Sequence, residues 1–341
     1  MSPVPNEGPG PQAIACDRPW LVADPDTGTL YVSFTNHNDS SGGAYGTGWE
    51  LGLVGCKATV LTNPLFECGR QYVSASHDTG RTWSRFVPFD SGDYPAGATG
   101  GFSAGPIAAG GVLATAYVAS RAPGRECPCV VLATSTDDGA TWQRSSSRRR
   151  SAPQRPVVPD GVSTAPMEDT SESPLANPSA LFEPYAAADP SRPGRYAVMV
   201  FNEQQTQLLV YVTSDGGATW QGPTRLAEEG GAKRHLPWIA YGPNGALGVM
   251  WKTVYSGGSF AAWAAVAPNG DTRFAPPVQL SGATSPGPAF AVAGDDASDV
   301  ALDAEYLHAV WGDLRTGSRG IRYGRYHYAS DPAVRALTDP P

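Results

Sequence analysis

An eight-residue motif that recurs along the chain constrains the fold more than any other feature of the sequence. Three segments match S/T-x-D-x-G-x-T-W, and we call them the box turns: Ser76–Trp83, Ser135–Trp142 and Thr213–Trp220. A degraded copy, Ala267–Phe274, has Asn269 for Asp and Phe274 for Trp. Successive copies are 59, 78 and 54 residues apart. Steps of about 55–60 residues indicate one supersecondary unit per repeat, and the long step carries an Arg-rich insertion.

Each position of the box turn has a physical role. The carboxylate of an Asp at the start of a turn accepts hydrogen bonds from backbone N–H groups a few residues on. The glycine takes a positive φ, and the Trp buries a large ring at the start of the next strand. Because the Asp recurs in every repeat, we interpret Asp78, Asp137 and Asp215 as structural residues. One carboxylate per turn is not a calcium site, so no metal is expected there.

An apolar strand precedes each box turn, so the motif predicts a hairpin. A second strand–turn–strand unit comes before each hairpin, clearly at 19–34 and 237–251 and more loosely at 106–117, 184–201 and 290–311. Two successive hairpins make one four-stranded blade of a β-propeller, and five blades can be counted. The sequence therefore predicts an all-β fold. It predicts one domain over 1–341, with a core at about 17–328, loop insertions at 36–70 and 143–178, and short tails.

The box turns resemble the Asp-box (BNR) repeats of the sialidase superfamily over roughly residues 17–326. This resemblance implies a sialidase-like β-propeller with six blades, although only five repeats are legible. It also implies an exo-acting glycoside hydrolase that acts on an acidic sugar. In sialidases three arginines bind the substrate carboxylate, an Asp is the acid/base, and a Tyr paired with a Glu is the nucleophile. Planar guanidinium groups suit a carboxylate, and a Tyr needs a nearby base to become nucleophilic.

The resemblance implies a set of site residues. Arg18, in Asp17-Arg18-Pro19-Trp20, occupies the place of the first carboxylate-binding arginine. Asp39 falls about where the acid/base would lie, and Tyr323 falls in the C-terminal region of the nucleophile. The further arginine candidates and the candidate partner bases of the Tyr are Arg234, Arg315, Arg322, Glu183 and Glu203.

Two departures from the family pattern leave other functions open. The Asp-Arg-Pro segment is one residue short of the aromatic-Arg-Ile-Pro strand of sialidases, and no arginine accompanies Asp39. A non-catalytic propeller that binds glycan or protein at its axial mouth is one alternative. A glycan enzyme of another specificity, such as a polysaccharide lyase, is the other. A binding module and an enzyme are thus both compatible with the same fold.

Composition narrows the choice of partners. The formal net charge of -8 and the pI near 5.1 give no reason to expect a nucleic-acid partner. No apolar run approaches the roughly 18 residues that span a bilayer, so no membrane partner is expected. We expect a monomer that acts on a glycan or glycoconjugate, without a cofactor.

The five cysteines bear on the compartment. Cys56 and Cys68 bracket a short segment and are expected to form a disulfide, whereas Cys127 and Cys129 are too close to bond each other comfortably. Their spacing does not match a zinc site. A disulfide favours a secreted or cell-surface protein.

Overall fold

The computed structural model describes residues 14–38, 71–90, 93, 105–119, 129–144, 184–201, 206–226, 233–256, 258–286, 298–318 and 320–338. The chain divides into two compact units, residues 1–159 (unit 1) and 160–341 (unit 2). In the part of the chain that is described, no helix has the length and apolar character needed to cross a membrane.

Unit 1 contains two four-stranded antiparallel sheets whose strands follow chain order. Sheet 1 consists of β1 (Ile14–Ala23), β2 (Leu30–Asn38), β3 (Gln71–Ser76) and β4 (Val87–Pro88). Sheet 2 consists of β5 (Ile107–Ala109), β6 (Val112–Ala119), β7 (Cys129–Ser135) and β8 (Gln143–Arg144).

Unit 2 contains three antiparallel sheets, also in chain order. Sheet 3 consists of β9 (Tyr185–Ala188), β10 (Tyr196–Phe201), β11 (Leu208–Thr213) and β12 (Gln221–Leu226). Sheet 4 consists of β13 (Lys233–Tyr241), β14 (Leu247–Val254), β15 (Phe260–Ala267) and β16 (Val278–Gln279). Sheet 5 consists of β17 (Ser298–Leu302), β18 (Leu307–Asp313) and β19 (Gly320–Tyr326). A 3-10 turn (Tyr328–Ser330) and helix α1 (Pro332–Thr338) follow.

Every sheet is a meander in which each strand pairs with the next one along the chain, because short turns join antiparallel neighbours. This is the blade arrangement of a β-propeller, and the predicted all-β propeller class is confirmed. The described residues form five such sheets, whereas the resemblance implies six blades. The single-domain interpretation over 1–341 stays a prediction.

The box turns have the hydrogen bonds that their sequence predicts. In the first, the Asp78 carboxylate accepts bonds from the Thr82 N–H at 2.8 Å and the Thr82 hydroxyl at 2.7 Å. Ser76 donates to the same carboxylate at 2.9 Å. Gly80 has φ +85°, a conformation that a Cβ would penalise. The other two box turns repeat this pattern around Asp137 and Asp215. Each Asp therefore uses its oxygens within its own turn, as a structural role requires.

The Asp78 turn makes a testable contribution to the pH dependence of stability. Hydrogen bonds from Thr82 lower the pKa of Asp78 to about 2. A carboxyl whose pKa is lower in the folded state stabilises the fold above its unfolded pKa, and that contribution is lost as the pH falls through the folded value. We expect Asp78→Asn to lower the melting temperature at pH 6, and the difference from wild type to shrink between pH 4 and pH 2.

Thermal melts across this pH range measure the effect. Asp93→Asn is the matched control, because Asp93 is an exposed carboxylate outside any box turn. A deficit in Asp78→Asn that stays constant down to pH 2 would contradict the hydrogen-bonding account.

Polar contacts between first turns link consecutive sheets within each unit. The first turn of a sheet is the one that joins its first and second strands. In unit 1, Asp24 accepts a hydrogen bond from the Gly111 N–H of the next first turn at 2.7 Å. In unit 2, Arg195 donates to the Gly245 carbonyl at 3.0 Å. Asn244, beside Gly245, donates to Tyr328 at 3.0 Å, next to sheet 5.

The apolar core of unit 2 lies largely between sheets 4 and 5. Met250, Ala262 and Ala264 of sheet 4 belong to one cluster with Leu307 and Trp311 of sheet 5. Two strands of sheet 3, β10 and β11, are buried at every position, which explains their continuous apolar sequences. Sheets 4 and 5 are therefore packed face to face through this cluster.

Candidate functional site

Each sheet has two distinct ends. At one end the first strand begins, the second strand ends and the third strand begins, and we call this the start end. The box turns join the third and fourth strands and therefore lie at the opposite end. Among the described candidate residues, Arg234, Arg315 and Arg322 all lie near the start end of their sheets.

Two arginines converge on one buried carboxylate at the start end of sheet 5. Asp313 is the last residue of β18 and is almost completely buried. Arg315 places its Nε 3.0 and 2.9 Å from the two Asp313 oxygens, and its backbone N–H also donates to Asp313 at 2.9 Å. Arg322, on β19, has its Nε 3.9 Å from the same carboxylate. Asp313 therefore holds the Arg315 guanidinium by hydrogen bonds and attracts that of Arg322 through a longer ion pair.

The charge state of this cluster follows from its contacts. Burial acts to raise the pKa of Asp313, but hydrogen bonds from Arg315 outweigh it and hold the pKa below its usual value. Asp313 is thus ionised at neutral pH, and the cluster carries one net positive charge. The arginine side chains remain 25% and 40% exposed, so a ligand can reach them. Each guanidinium has five N–H donors, and Asp313 occupies only part of that set.

The neighbouring sheet adds positive charge at its own start end. Arg234 is the second residue of β13, lies opposite Thr253 of β14 and is 1% exposed. Lys252 of β14 is also fully buried, with its Nζ 5.2 Å from the centre of the Phe260 ring. Hydrogen bonds link the two sheets at this end, because Ser285 accepts from the Leu314 N–H at 2.9 Å. Among the described residues, cations therefore outnumber carboxylates at the start ends of sheets 4 and 5.

Tyr323 lies on the opposite face of β19 from Arg322, because successive side chains of a strand alternate between faces. Arg322 pairs with Trp311, which is buried against sheet 4, whereas Tyr323 pairs with the exposed Val310. The Tyr323 hydroxyl lies 2.6 Å from Nδ1 of His308, and not beside a glutamate among the described residues. Arg322 and Tyr323 therefore cannot both face one ligand on a single face of the sheet.

The remaining predicted site residues are not placed by the structure. Arg18 lies in β1 of unit 1, and its side chain is outside what is described. Asp39, Glu183 and Glu203 lie outside the described residues, as do Cys56, Cys68 and Cys127. Their roles and the disulfide stay predictions.

The sequence did not single out three residues that the structure makes chemically notable. His308 and Asp303 lie within hydrogen-bonding distance of each other, next to Tyr323. Asp299, the second residue of β17, has a pKa raised by partial desolvation. The side chains of β17–β19 alternate between more buried and more exposed positions. Such alternation along a strand is the signal by which one exposed face of this sheet could have been expected. The register that joins His308 to Tyr323 depends on strand pairing and cannot be obtained from a motif.

In the described part of the chain, no group of three or more His, Cys, Asp or Glu side chains lies close enough together to hold a metal ion. The described site is instead a cationic one, formed by arginine and lysine. Guanidinium groups in such an arrangement can bind a carboxylate or another anion.

Comparison with known proteins supports the fold. No family model matches the sequence, and no curated protein matches it. Among solved structures, the chain is similar to the Hadza microbial sialidase Hz136, with a TM-score of 0.51 and 13% identity. That match covers 91% of this chain and 52% of the sialidase, so the chain spans about half of the sialidase's length.

Two further structures extend the comparison. A Dyadobacter fermentans protein of unknown function has a TM-score of 0.50 and 15% identity, with 94% of this chain and 81% of that chain covered. The α-L-arabinofuranosidase Arb93A from Fusarium graminearum has a TM-score of 0.45 and 12% identity, with 94% and 98% covered. At these identities the likeness is one of fold alone, and the fold is one that the sialidase also adopts.

Proposed function

We propose that this protein is a secreted carbohydrate-active propeller that binds the carboxylate of an acidic sugar through Arg315 and Arg322. The finer proposal is an exo-acting glycoside hydrolase of sialidase type, with the box turns as its Asp-box repeats. The observation that carries the proposal is the pair of accessible guanidinium groups oriented by the buried carboxylate of Asp313.

The physical argument rests on preorganisation. Arginine binds a carboxylate through two parallel N–H donors, and such charge-assisted bonds are stronger than neutral ones. Because Asp313 already fixes the Arg315 side chain by hydrogen bonds, binding does not require that side chain to lose much further conformational freedom. Arg315, Arg322 and Asp313 together carry one net positive charge at the start end of sheet 5. This local charge is opposite to the net charge of -8 of the whole chain, which favours an anionic ligand at this end.

Turnover of aryl glycosides tests the proposal. We expect hydrolysis of an aryl sialoside or an aryl glucuronide, and a decrease in kcat/KM of about 10- to 100-fold for Arg315→Ala, because a hydrogen bond to a charged group contributes about 1.5–3 kcal/mol. Arg315→Lys should retain only part of the activity, since an ammonium cannot form the bidentate contact.

Arg273→Ala is the matched control, because Arg273 is an exposed arginine in the degraded box turn of sheet 4, at the end opposite to the start end. It should leave kcat/KM unchanged. Neutral aryl glycosides should be poor substrates whose turnover does not depend on Arg315.

The alternatives have different signatures in the same assays. A binding propeller would retain an acidic glycan on an affinity matrix without turnover, and Arg315→Ala would abolish the retention. A lyase would release an unsaturated product from a uronate polysaccharide. If no acidic saccharide is bound or turned over, or if Arg315→Ala behaves like Arg273→Ala, the proposal is wrong.

A further inference from the structure

Sheet 5 has an open face that the proposed function does not use. Three of its large apolar or aromatic side chains are exposed: Val310, Ile321 and Tyr323, with Tyr323 60% exposed. In register, Val310 lies directly opposite Tyr323, and His308 lies opposite Arg325. These side chains point away from sheet 4, whose contact with sheet 5 is made through the buried residues of the other face.

Three polar side chains on this face form a continuous hydrogen-bonded chain. The Tyr323 hydroxyl lies 2.6 Å from Nδ1 of His308, and Nε2 of His308 lies 3.0 Å from an Asp303 oxygen. The rings of His308 and Tyr323 are nearly parallel, at 19°. The other oxygen of Asp303 accepts the backbone N–H groups of Glu305 and Tyr306 at 2.7 and 2.6 Å. Asp303 is therefore anchored by its own turn.

The protonation state of Asp303 determines which atom carries the proton in each hydrogen bond between Asp303, His308 and Tyr323. The hydrogen bond from His308 comes first among the causes that lower the pKa of Asp303 to about 2, so this carboxyl is ionised and can only accept. Nε2 of His308 must then carry a proton, which leaves Nδ1 of the neutral ring as an acceptor. The hydrogen of the Tyr323 hydroxyl consequently points at Nδ1.

We propose that Tyr323 is a nucleophile with His308 as its general base and Asp303 as the residue that orients the base. Nucleophile, base and orienting group within hydrogen-bonding distance are the geometric signature of an activated nucleophile. The centre is independent of the arginine cluster, because Tyr323 and Arg322 lie on opposite faces of β19. Val310, directly opposite Tyr323, and Ile321, two residues before it on the same face, are exposed apolar side chains that suit an aryl ester as the acyl donor.

The chemical step balances without a further reactant other than water. The Tyr323 oxygen attacks the ester carbonyl carbon while its proton passes to Nδ1 of His308. The bond between that carbon and the aryl oxygen breaks, and the departing oxygen takes the proton from His308. Water, deprotonated by His308, then cleaves the acyl-tyrosine and regenerates the free hydroxyl. Arg325 lies opposite His308 on the same face, with its guanidinium carbon 5.0 Å from the centre of the Tyr306 ring.

Acetylation by p-nitrophenyl acetate, followed by acid quenching and peptide mass spectrometry, tests this inference. We expect the acetyl group on Tyr323, with a rate at least about 100-fold above that of Tyr255, since a general base contributes about 10²- to 10⁴-fold. Tyr255 is a suitable internal reference because its hydroxyl accepts a hydrogen bond from Trp263 at 3.0 Å.

Variants separate activation from simple exposure. Tyr323→Phe should abolish the label at this peptide, and His308→Gln should lower its rate of formation by about 100-fold. Asp303→Asn should do the same, because an amide N–H facing Nε2 favours the tautomer with a proton on Nδ1. Tyr255→Phe should not change the rate at Tyr323.

Circular dichroism and melting temperatures of all variants check that each one folds. If Tyr323 is acetylated no faster than Tyr255, or if His308→Gln and Asp303→Asn both retain the wild-type rate, the inference is overturned. Either result leaves the proposed binding of an acidic sugar by Arg315 unaffected.

Discussion

Arg195→Ala is expected to lower the free energy of unfolding by about 3–5 kcal/mol, the usual effect of removing one partner of a buried ion pair. Arg195 is 5% exposed, and its partner Asp189 is completely buried. The guanidinium contacts both Asp189 and two carbonyls of sheet 4, Asn269 at 2.7 Å and Gly245 at 3.0 Å. The substitution leaves a buried carboxylate without its counter-ion and two carbonyls without a donor.

The position of Arg195 at the junction of sheets 3 and 4 explains why its loss should be so destabilising. It lies at the first turn of sheet 3 and crosses to the first turn and the degraded box turn of sheet 4. Its guanidinium carbon lies 5.2 Å from the centre of the Tyr241 ring, and the Tyr241 hydroxyl donates to the Gly270 carbonyl at 3.0 Å. A Cβ at Gly270 would lie 2.1 Å from the Gly245 carbonyl oxygen, so this junction has no space for rearrangement.

Urea unfolding gives the measurement, and Arg273→Ala is the control. Arg273 pairs with Asp271 at 2.9 Å, but its side chain is 62% exposed, so its removal should change the free energy by less than about 1 kcal/mol. Arg195→Lys, which retains the charge but lacks the planar fork, should lie between the two and provides a value if Arg195→Ala does not fold. A loss for Arg195→Ala no larger than that for Arg273→Ala would show that the buried pair contributes little.

The fold was predictable because its determinants are local. The box turns carry their own hydrogen-bond acceptors and glycines, so Asp78 and Gly80 indicate a hairpin without knowledge of the rest of the chain. The degraded copy shows the limit of this reasoning. Its Asn269 side chain donates to the Leu337 carbonyl of helix α1 at 2.9 Å, a contact with a distant segment that the motif could not reveal.

The candidate site was predictable only in part, because it depends on the sheet face to which each side chain points and on the register in which neighbouring strands pair. The alternation of side chains along a strand already implies that Arg322 and Tyr323 point to opposite faces, and the family resemblance alone did not use that rule. The contact of Arg315 with Asp313 is local, since the two residues are two apart in the chain, whereas the approach of Arg322 to Asp313 requires that β18 and β19 pair in the observed register. The partner of Tyr323 was sought among the glutamates, whereas the register brings His308 to it.

Trp142→Ala is expected to lower the free energy of unfolding by about 3 kcal/mol, at the lower end of the range for a large aromatic side chain, because Trp142 is only partly buried. Its indole packs against two apolar clusters of unit 1, one around Tyr117 in sheet 2 and one around Tyr31 in sheet 1. It meets the Phe89 ring edge to face, with centroids 6.1 Å apart. Truncation therefore weakens both clusters at once.

Trp142→Phe separates packing from hydrogen bonding in this effect. In the described part of the chain the buried Nε1 of Trp142 has no acceptor, whereas Nε1 of Trp83 donates to the Gly80 carbonyl at 3.1 Å. We therefore expect Trp142→Phe to lose less stability than Trp142→Ala and to lose it through contact area alone. Trp83→Phe additionally loses a hydrogen bond of about 1 kcal/mol. Urea unfolding of the three variants measures this order. If Trp142→Ala proves no more destabilising than Trp142→Phe, the two clusters do not depend on the indole that lies between them.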